Sequence, residues 1–178
     1  MIELLNFTYK TNKVLFEGAD FKAPSIGIIG IAGESGCGKT TFLKIISKQI
    51  HVDSMVNDAT SIFYGNQDAL LKRNLTIIQQ FELIESIYNR EHDQNTIDEL
   101  FNSLSIKANL SQKYDSCSLG EKKRIMIALS VYSNSPCIIL DEPLSSVDYE
   151  DKHSIMKLLK EYSHDRVIIL TIHDEEFD

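Results

Sequence analysis

The sequence predicts an α/β domain: a mostly parallel sheet, a short antiparallel β part at the N-terminus and an inserted helical subdomain. Three observations carry this expectation. Short apolar runs, Ile26–Ile31, Cys137–Leu140 and Val167–Thr171, alternate with amphipathic helical periods, the pattern of parallel strands covered on both faces. Gly33-Glu34-Ser35-Gly36-Cys37-Gly38-Lys39-Thr40 stands between the first of these runs and the amphipathic Phe42-Leu43-Lys44-Ile45-Ile46. From about Leu75 the apolar spacing lengthens to a helical period and stays so to residue 116.

In chain order, residues 2–7 and 14–21 read as strands around the turn Lys10-Thr11-Asn12-Lys13. Pro24-Ser25 breaks the chain before the run 26–31, and a helix follows the glycine-rich loop. Residues 50–60 are polar and read as irregular; Ser61-Ile62-Phe63-Tyr64 reads as a strand. Ile77, Phe81, Ile84 and Tyr88 share one helical face, and Ile97, Leu100, Phe101 and Leu104 another, with Asn89 to Asn95 an exposed connection. A helix beginning near Gly120 carries Ile125, Ala128, Leu129 and Tyr132 inward and stops at Asn134-Ser135-Pro136. Ile155, Leu158, Leu159 and Tyr162 mark the last helix. The expected organisation is a single domain, 1–178, with a core of about 1–74 and 117–178 and a helical subdomain of about 75–116.

The loop 33–40 matches G-x-x-x-x-G-K-[ST], the P-loop, in the strand–loop–helix setting that motif requires. Glycines let consecutive backbone N–H groups approach phosphate oxygens, and the helix that follows adds its positive end. Lys39 is expected to reach the β- and γ-phosphates of a nucleoside triphosphate, and the Thr40 hydroxyl to ligate Mg²⁺. A second site closes the strand at 137–140: Asp141 and Glu142 fall at the C-terminal end of a buried parallel strand, where open α/β sheets bind ligands. Asp141 suits a magnesium ligand. Glu142 suits a group that orients or deprotonates an attacking water.

Composition narrows the partners. A net charge of −8 over 178 residues disfavours a sequence-independent nucleic-acid binder. No apolar run approaches the roughly 18 residues that span a bilayer. Met1 to Asn6 lacks the features of a secretory signal, and three cysteines without metal-ligand spacing suit a reducing compartment. The expectation is a soluble, intracellular chain whose membrane role comes through a partner. His51, His92, His153 and His164 read as surface residues.

Taken together, these motifs resemble those of the ATP-binding cassette (ABC) ATPases, in that family's order and over nearly the whole chain. Gly33 to Thr41 is similar to its Walker A, and Cys137 to Glu142 to its Walker B with the catalytic glutamate. Cys117-Ser118-Leu119-Gly120-Glu121, followed by Lys122-Lys123-Arg124, resembles the signature usually written LSGGQ. Leu144 to Asp148 resembles the D-loop, and Ile172-His173-Asp174 the switch-histidine motif. Gln67 matches the Q-loop glutamine, while Gln79 and Gln80 lie inside a helical pattern; Tyr9 stands where the family stacks an aromatic ring on adenine.

The resemblance implies ATP and Mg²⁺ as cofactors. It makes Glu142, His173, Gln67 and Lys39 catalytic and adds Gln67 to Thr40 and Asp141 around the metal. Tyr9, the loop Gly33 to Thr41, Ser118, Gly120 and Asp148 would contact nucleotide. It also implies a second ABC subunit, identical or not, pairing head to tail so that ATP lies between the P-loop of one and the signature of the other. A transmembrane permease on a separate chain would hold the pair at the inner face of the cell membrane, docked on residues 68–74 and the helical insertion. The resemblance implies no direct nucleic-acid partner. Leu119, Glu121 and Cys117 depart from the signature, and the stretch between the P-loop helix and Gln67 is short for the family, so its antiparallel subdomain is expected to be trimmed. The chain stops five residues after His173, without the family's closing extensions. Two alternatives remain open on sequence: a soluble non-transport ATPase of the same fold, and a weakly hydrolysing nucleotide-dependent binding or immunity module. The guanine-reading motif of GTPases is not found.

Overall fold

In the computed structural model, which describes residues 2–53, 55–57, 59, 61–66, 74–145 and 147–172, four parallel strands form the central sheet. They are β3 (Gly27–Ile31), β5 (Phe63–Gly65), β6 (Cys137–Leu140) and β7 (Val167–Thr171), in the order β3-β7-β6-β5. Strand alternation sorts their side chains into two cores. Ile138, Leu140, Ile168 and Leu170 enter one apolar cluster, while Cys137, Ile139, Val167 and Ile169 enter the other. Both faces are therefore covered, and these runs are apolar throughout because each second residue still meets a core.

One face carries α1 (Lys39–Ile46) and an antiparallel sheet of β1 (Ile2–Lys10), β2 (Val14–Ala23) and β4 (Met55–Asn57), in the order β2-β1-β4. Phe7, Phe16, Phe21 and Phe42 pack as an aromatic group there, with centroids 4.9 to 6.2 Å apart. The stretch 50–60, expected to be irregular, thus contains β4, whose ladder to β1 runs Ile2↔Asn57, Glu3↔Val56 and Leu4↔Met55. Three residues are too few to show a period, and the strand exists through its backbone pairing with β1.

The other face carries α4 (Leu119–Tyr132), α5 (Tyr149–Tyr162) and the helical segment, α2 (Ile77–Tyr88) and α3 (Gln94–Ser103). Helix α2 starts at a capping box: Thr76 accepts from the Gln79 N–H, and the Gln79 side chain accepts from the Thr76 N–H. Asp93 caps α3 by accepting from the Thr96 N–H at 3.1 Å, so the connection ends two residues earlier than the sequence suggested. Tyr132, fully buried on α4, fastens this segment in place. Its hydroxyl donates to Glu85 Oε1 at 2.6 Å and accepts from the Asp93 N–H at 3.0 Å. The Arg90 guanidinium lies 4.1 Å from its ring centroid. The core is continuous from α2 and α3 through α4 to the sheet.

Candidate functional site

The P-loop leaves β3 and turns into α1 at the C-terminal edge of the parallel sheet. Gly38 is the N-cap of α1 at φ 112°, a left-handed conformation, and a Cβ there would lie 3.2 Å from Phe16 Cζ. Only glycine meets both conditions. Lys39 is buried and curls back over the loop: its ammonium donates to the carbonyls of Gly33 and, at 3.1 Å, Glu34. From the β1–β2 turn, Lys13 Nζ donates to the Gly36 carbonyl at 3.4 Å and adds a second cation to the loop. Sequence reading gave Lys13 only to a turn.

A cavity of about 210 Å³ opens over this loop, lined by Leu15, Ser35, Gly36, Gly38, Lys39, Thr40, Thr41 and Glu142. Residues a hundred positions apart in the chain meet here because β3 and β6 both flank β7 and end on the same edge of the sheet. Leu15, from β2, is the apolar wall of the cavity. Tyr9 is not among its lining residues; it is half-buried against the N-terminal core, across the strand pair from Phe16. Of these two strand-end residues, Leu15 lines the cavity and Tyr9, which the family resemblance places at the adenine, packs beside the N-terminal core.

The acidic pair is held from β5 and β7. The Asp141 N–H donates to the Gly65 carbonyl at 2.9 Å. Gly65 must be small, since a Cβ would lie 2.9 Å from Leu140 Cδ2. Thr171, fully buried at the end of β7, donates through its hydroxyl to Asp141 Oδ1 at 3.0 Å and accepts from the Glu142 N–H at 2.6 Å. One side chain thereby orients both acids. Thr171 was read only as the end of a strand; the available signal is a lone hydroxyl closing an aliphatic run opposite Asp-Glu. Glu142 itself has φ 51°, which a non-glycine residue adopts only when its surroundings enforce it. Burial, and next the charge of Asp141, push the Tyr64 hydroxyl up to about 12. The donors fit a small hard cation: a carboxylate at Asp141 and a hydroxyl at Thr40, with coordination left for phosphate oxygens and water. Among the described residues no group of three or more His, Cys, Asp or Glu forms an all-protein metal cage.

The N-terminus of α4 is a separate surface. Ser118 is its N-cap, its Oγ accepting from the Glu121 N–H at 3.2 Å. The Glu121 carboxylate accepts from both the Ser118 N–H and the Ser118 hydroxyl at 3.0 Å. Those donors hold its carboxyl below the usual range. Gly120 faces open space, and Leu119 is exposed. Neither Ser118 nor Gly120 lines the P-loop cavity. Asp148 is the exposed N-cap residue of α5, and Tyr149 beside it is 81% exposed. Lys123, three residues past Gly120, is buried and reaches the turn after Glu142. Gln67, His173 and residues 68–73 lie outside the described residues. Among the described residues no helix is long and apolar enough to cross a membrane.

The family model described as "ABC transporter" matches residues 16–145, more than half of the chain. A cytochrome c biogenesis ATP-binding export protein of Reclinomonas americana is 30% identical over 182 residues, covering 93% of this chain and 81% of that protein. The phosphonates import ATP-binding protein of Lactiplantibacillus plantarum is 25% identical over 202 residues, covering 98% of this chain and 78% of that one. Among solved structures, an ABC transporter ATP-binding protein from Pyrococcus furiosus superimposes with a TM-score of 0.84 at 20% identity, covering 97% of this chain and 91% of its own. An ATP-binding cassette solved as a dimer in a post-hydrolysis state with ADP and phosphate gives a TM-score of 0.79 at 22% identity, covering 99% of this chain and 89% of its own.

Proposed function

This chain belongs to the ABC transporter family of ATP-binding, ATP-hydrolysing proteins, and from that premise we propose that it is the motor subunit of a membrane transporter. Residues 1–178 act as one ATP-binding domain, with the segment 75–116 as its helical subdomain. The observation that carries the reading is the meeting of Glu142 with Lys39, Thr40 and Thr41 in one cavity, while Ser118 and Gly120 sit on a surface of their own. A site that holds phosphates and a base, yet keeps its second phosphate-binding helix end elsewhere, is completed by another subunit.

ATP binds with its phosphates on the P-loop N–H groups and Lys39, with Leu15 and, in the family's manner, Tyr9 towards the adenine. Thr40 and Asp141, together with Gln67 as the family resemblance implies, would hold Mg²⁺, which would supply charge neutralisation on the phosphates. Glu142 orients a water and takes its proton as the water attacks the γ-phosphorus; the bond to the leaving ADP oxygen breaks, giving ADP and phosphate. His173 contacts the γ-phosphate. The N-terminus of α4 and Asp148 of a second, head-to-tail subunit close over the same nucleotide, so binding draws the pair together and hydrolysis releases it. The exposed Leu119 and Tyr149, beside these motifs, support burial there by another copy or a paralogue. A permease on a separate chain docks on α2, α3 and residues 68–74 and keeps the pair at the inner face of the membrane.

The Glu121–Ser118 contact favours a second reading, a slowly hydrolysing module that acts through ATP-dependent pairing. One experiment separates the two. The tagged Glu142→Gln protein is recovered with ATP from detergent-solubilised native cells, and its partners are identified by mass spectrometry. A polytopic membrane protein is expected; soluble partners alone would overturn the transporter reading.

A further inference from the structure

Lys123 is only 2% exposed, on a helix whose following residues, Ile125 to Leu129, are all buried and apolar. Core packing alone does not ask for a cation there, since burying an ammonium is unfavourable by several kcal/mol unless its protons are engaged. The Lys123 ammonium donates to the Glu142 carbonyl at 3.2 Å, and to both the carbonyl and the hydroxyl of Ser145. The Ser145 hydroxyl and N–H also donate to the Glu142 carbonyl, at 3.2 and 3.3 Å. All these contacts converge on the turn that places Glu142 at φ 51°. Thr171 holds that residue by its N–H, and Lys123 holds it by its carbonyl.

We propose that Lys123 is a positioning residue that fastens the Glu142–Ser145 turn to α4. The phosphate-binding end of α4, at Ser118 and Gly120, and the base at Glu142 then belong to one rigid piece. Engagement of α4 by the nucleotide of a second subunit therefore sets the position of this subunit's own Glu142, and the two sites act together. The inference rests on the roles proposed above for Glu142 and the α4 N-terminus.

The test is Lys123→Met, which keeps the length and most of the volume and removes every donor. ATPase rate against ATP concentration is measured on the full chain, alongside the Kd for a non-hydrolysable ATP analogue. The expected result is a fall in kcat on the order of 100-fold, the scale set by misplacing a reacting group by about 1 Å. KM and Kd stay within about threefold and the Hill coefficient falls toward one, the outcome of losing orientation rather than binding. Lys123→Gln, which keeps an amide donor, recovers part of kcat. An unchanged kcat, or a parallel loss of binding and rate, overturns the proposal. If Lys123→Met does not fold, Ser145→Ala replaces it: it removes the shared hydroxyl and should lower kcat about tenfold, one hydrogen bond's worth, at unchanged Kd. No change in that variant overturns the proposal equally. A wild-type chain without ATPase activity would sink the preceding functional reading and this proposal with it; an active wild type beside an unaffected variant sinks this proposal alone.

Discussion

Replacing Thr171 by valine keeps the shape and β-branching of the side chain while deleting one oxygen. That oxygen serves two purposes, accepting from the Glu142 N–H at 2.6 Å and donating to Asp141 Oδ1 at 3.0 Å. A hydrogen bond to a carboxylate contributes about 1.5–3 kcal/mol, and leaving the N–H of half-buried Glu142 without its acceptor is unfavourable by at most about 1–3 kcal/mol. Asp141 and Glu142 are both half-buried and regain water, which offsets part of each loss. A net destabilisation of about 3 kcal/mol follows, a large share of the roughly 5–15 kcal/mol that holds a domain folded. With a urea m-value of about 2–3 kcal/mol/M, the unfolding midpoint drops by about 1–1.5 M. The assay is urea unfolding followed by far-UV circular dichroism, with ATPase rates measured in parallel. Both acids lose their common anchor, so kcat should fall about tenfold or more. Thr171→Ser restores the oxygen and should recover most of the rate, while losing about 1 kcal/mol for the missing methyl. A valine variant with the wild-type midpoint and rate would refute the account of how this pair is oriented.

Other expectations follow from the same geometry. Lys39→Ala should abolish MgATP binding by equilibrium titration; retained tight binding would contradict the P-loop role. Glu121→Gln removes the carboxylate that engages the Ser118 donors, so ATP-dependent dimerisation, read by light scattering with Glu142→Gln in the background, should strengthen about three- to tenfold on the scale of like-charge repulsion near water. Weaker dimerisation would show that Glu121 serves only as a helix cap. His92, expected to be a plain surface residue, lies 2.8 Å from Glu85, whose hydrogen bond raises the imidazole pKa above 6.5. A raised folded value means its contribution is complete below pH 6.5 and disappears as pH climbs through the folded pKa. The urea midpoint of wild type should therefore decline more between pH 6 and 8 than that of His92→Asn; equal declines would remove His92 as the cause.

Local motifs were legible in the sequence and long-range assignments were not. The P-loop, the Asp141-Glu142 pair and the aliphatic strands each announce themselves within ten residues, because tight turns, phosphate cradles and doubly covered strands demand particular residue types side by side. Thr171 acquires its role only when β7 is laid beside β6, thirty residues away in the chain. Strand β4 has no signal of its own length. Lys122-Lys123-Arg124 reads as one basic run, yet the helix turns about 100° per residue and sends the three cations to different places. Lys122 pairs with Asp115 at 3.7 Å, Lys123 is buried under the Glu142 turn, and Arg124 pairs with Asp151 on α5. Tyr9 and Leu15 illustrate the same limit, since which of two neighbouring strand ends lines the cavity follows only from the strand register.

The anchoring of α4 at two points makes that helix a strut. One point is Lys123, fixed to the Glu142–Ser145 turn; the other is Tyr132, where Glu85, Arg90 and Asp93 of the helical segment grip it. At about 1.5 Å per residue the two points are roughly 13.5 Å apart, and the helix between them is buried in the core. A displacement of α2 and α3 would therefore be carried to the Glu142–Ser145 turn and to Ser118 together.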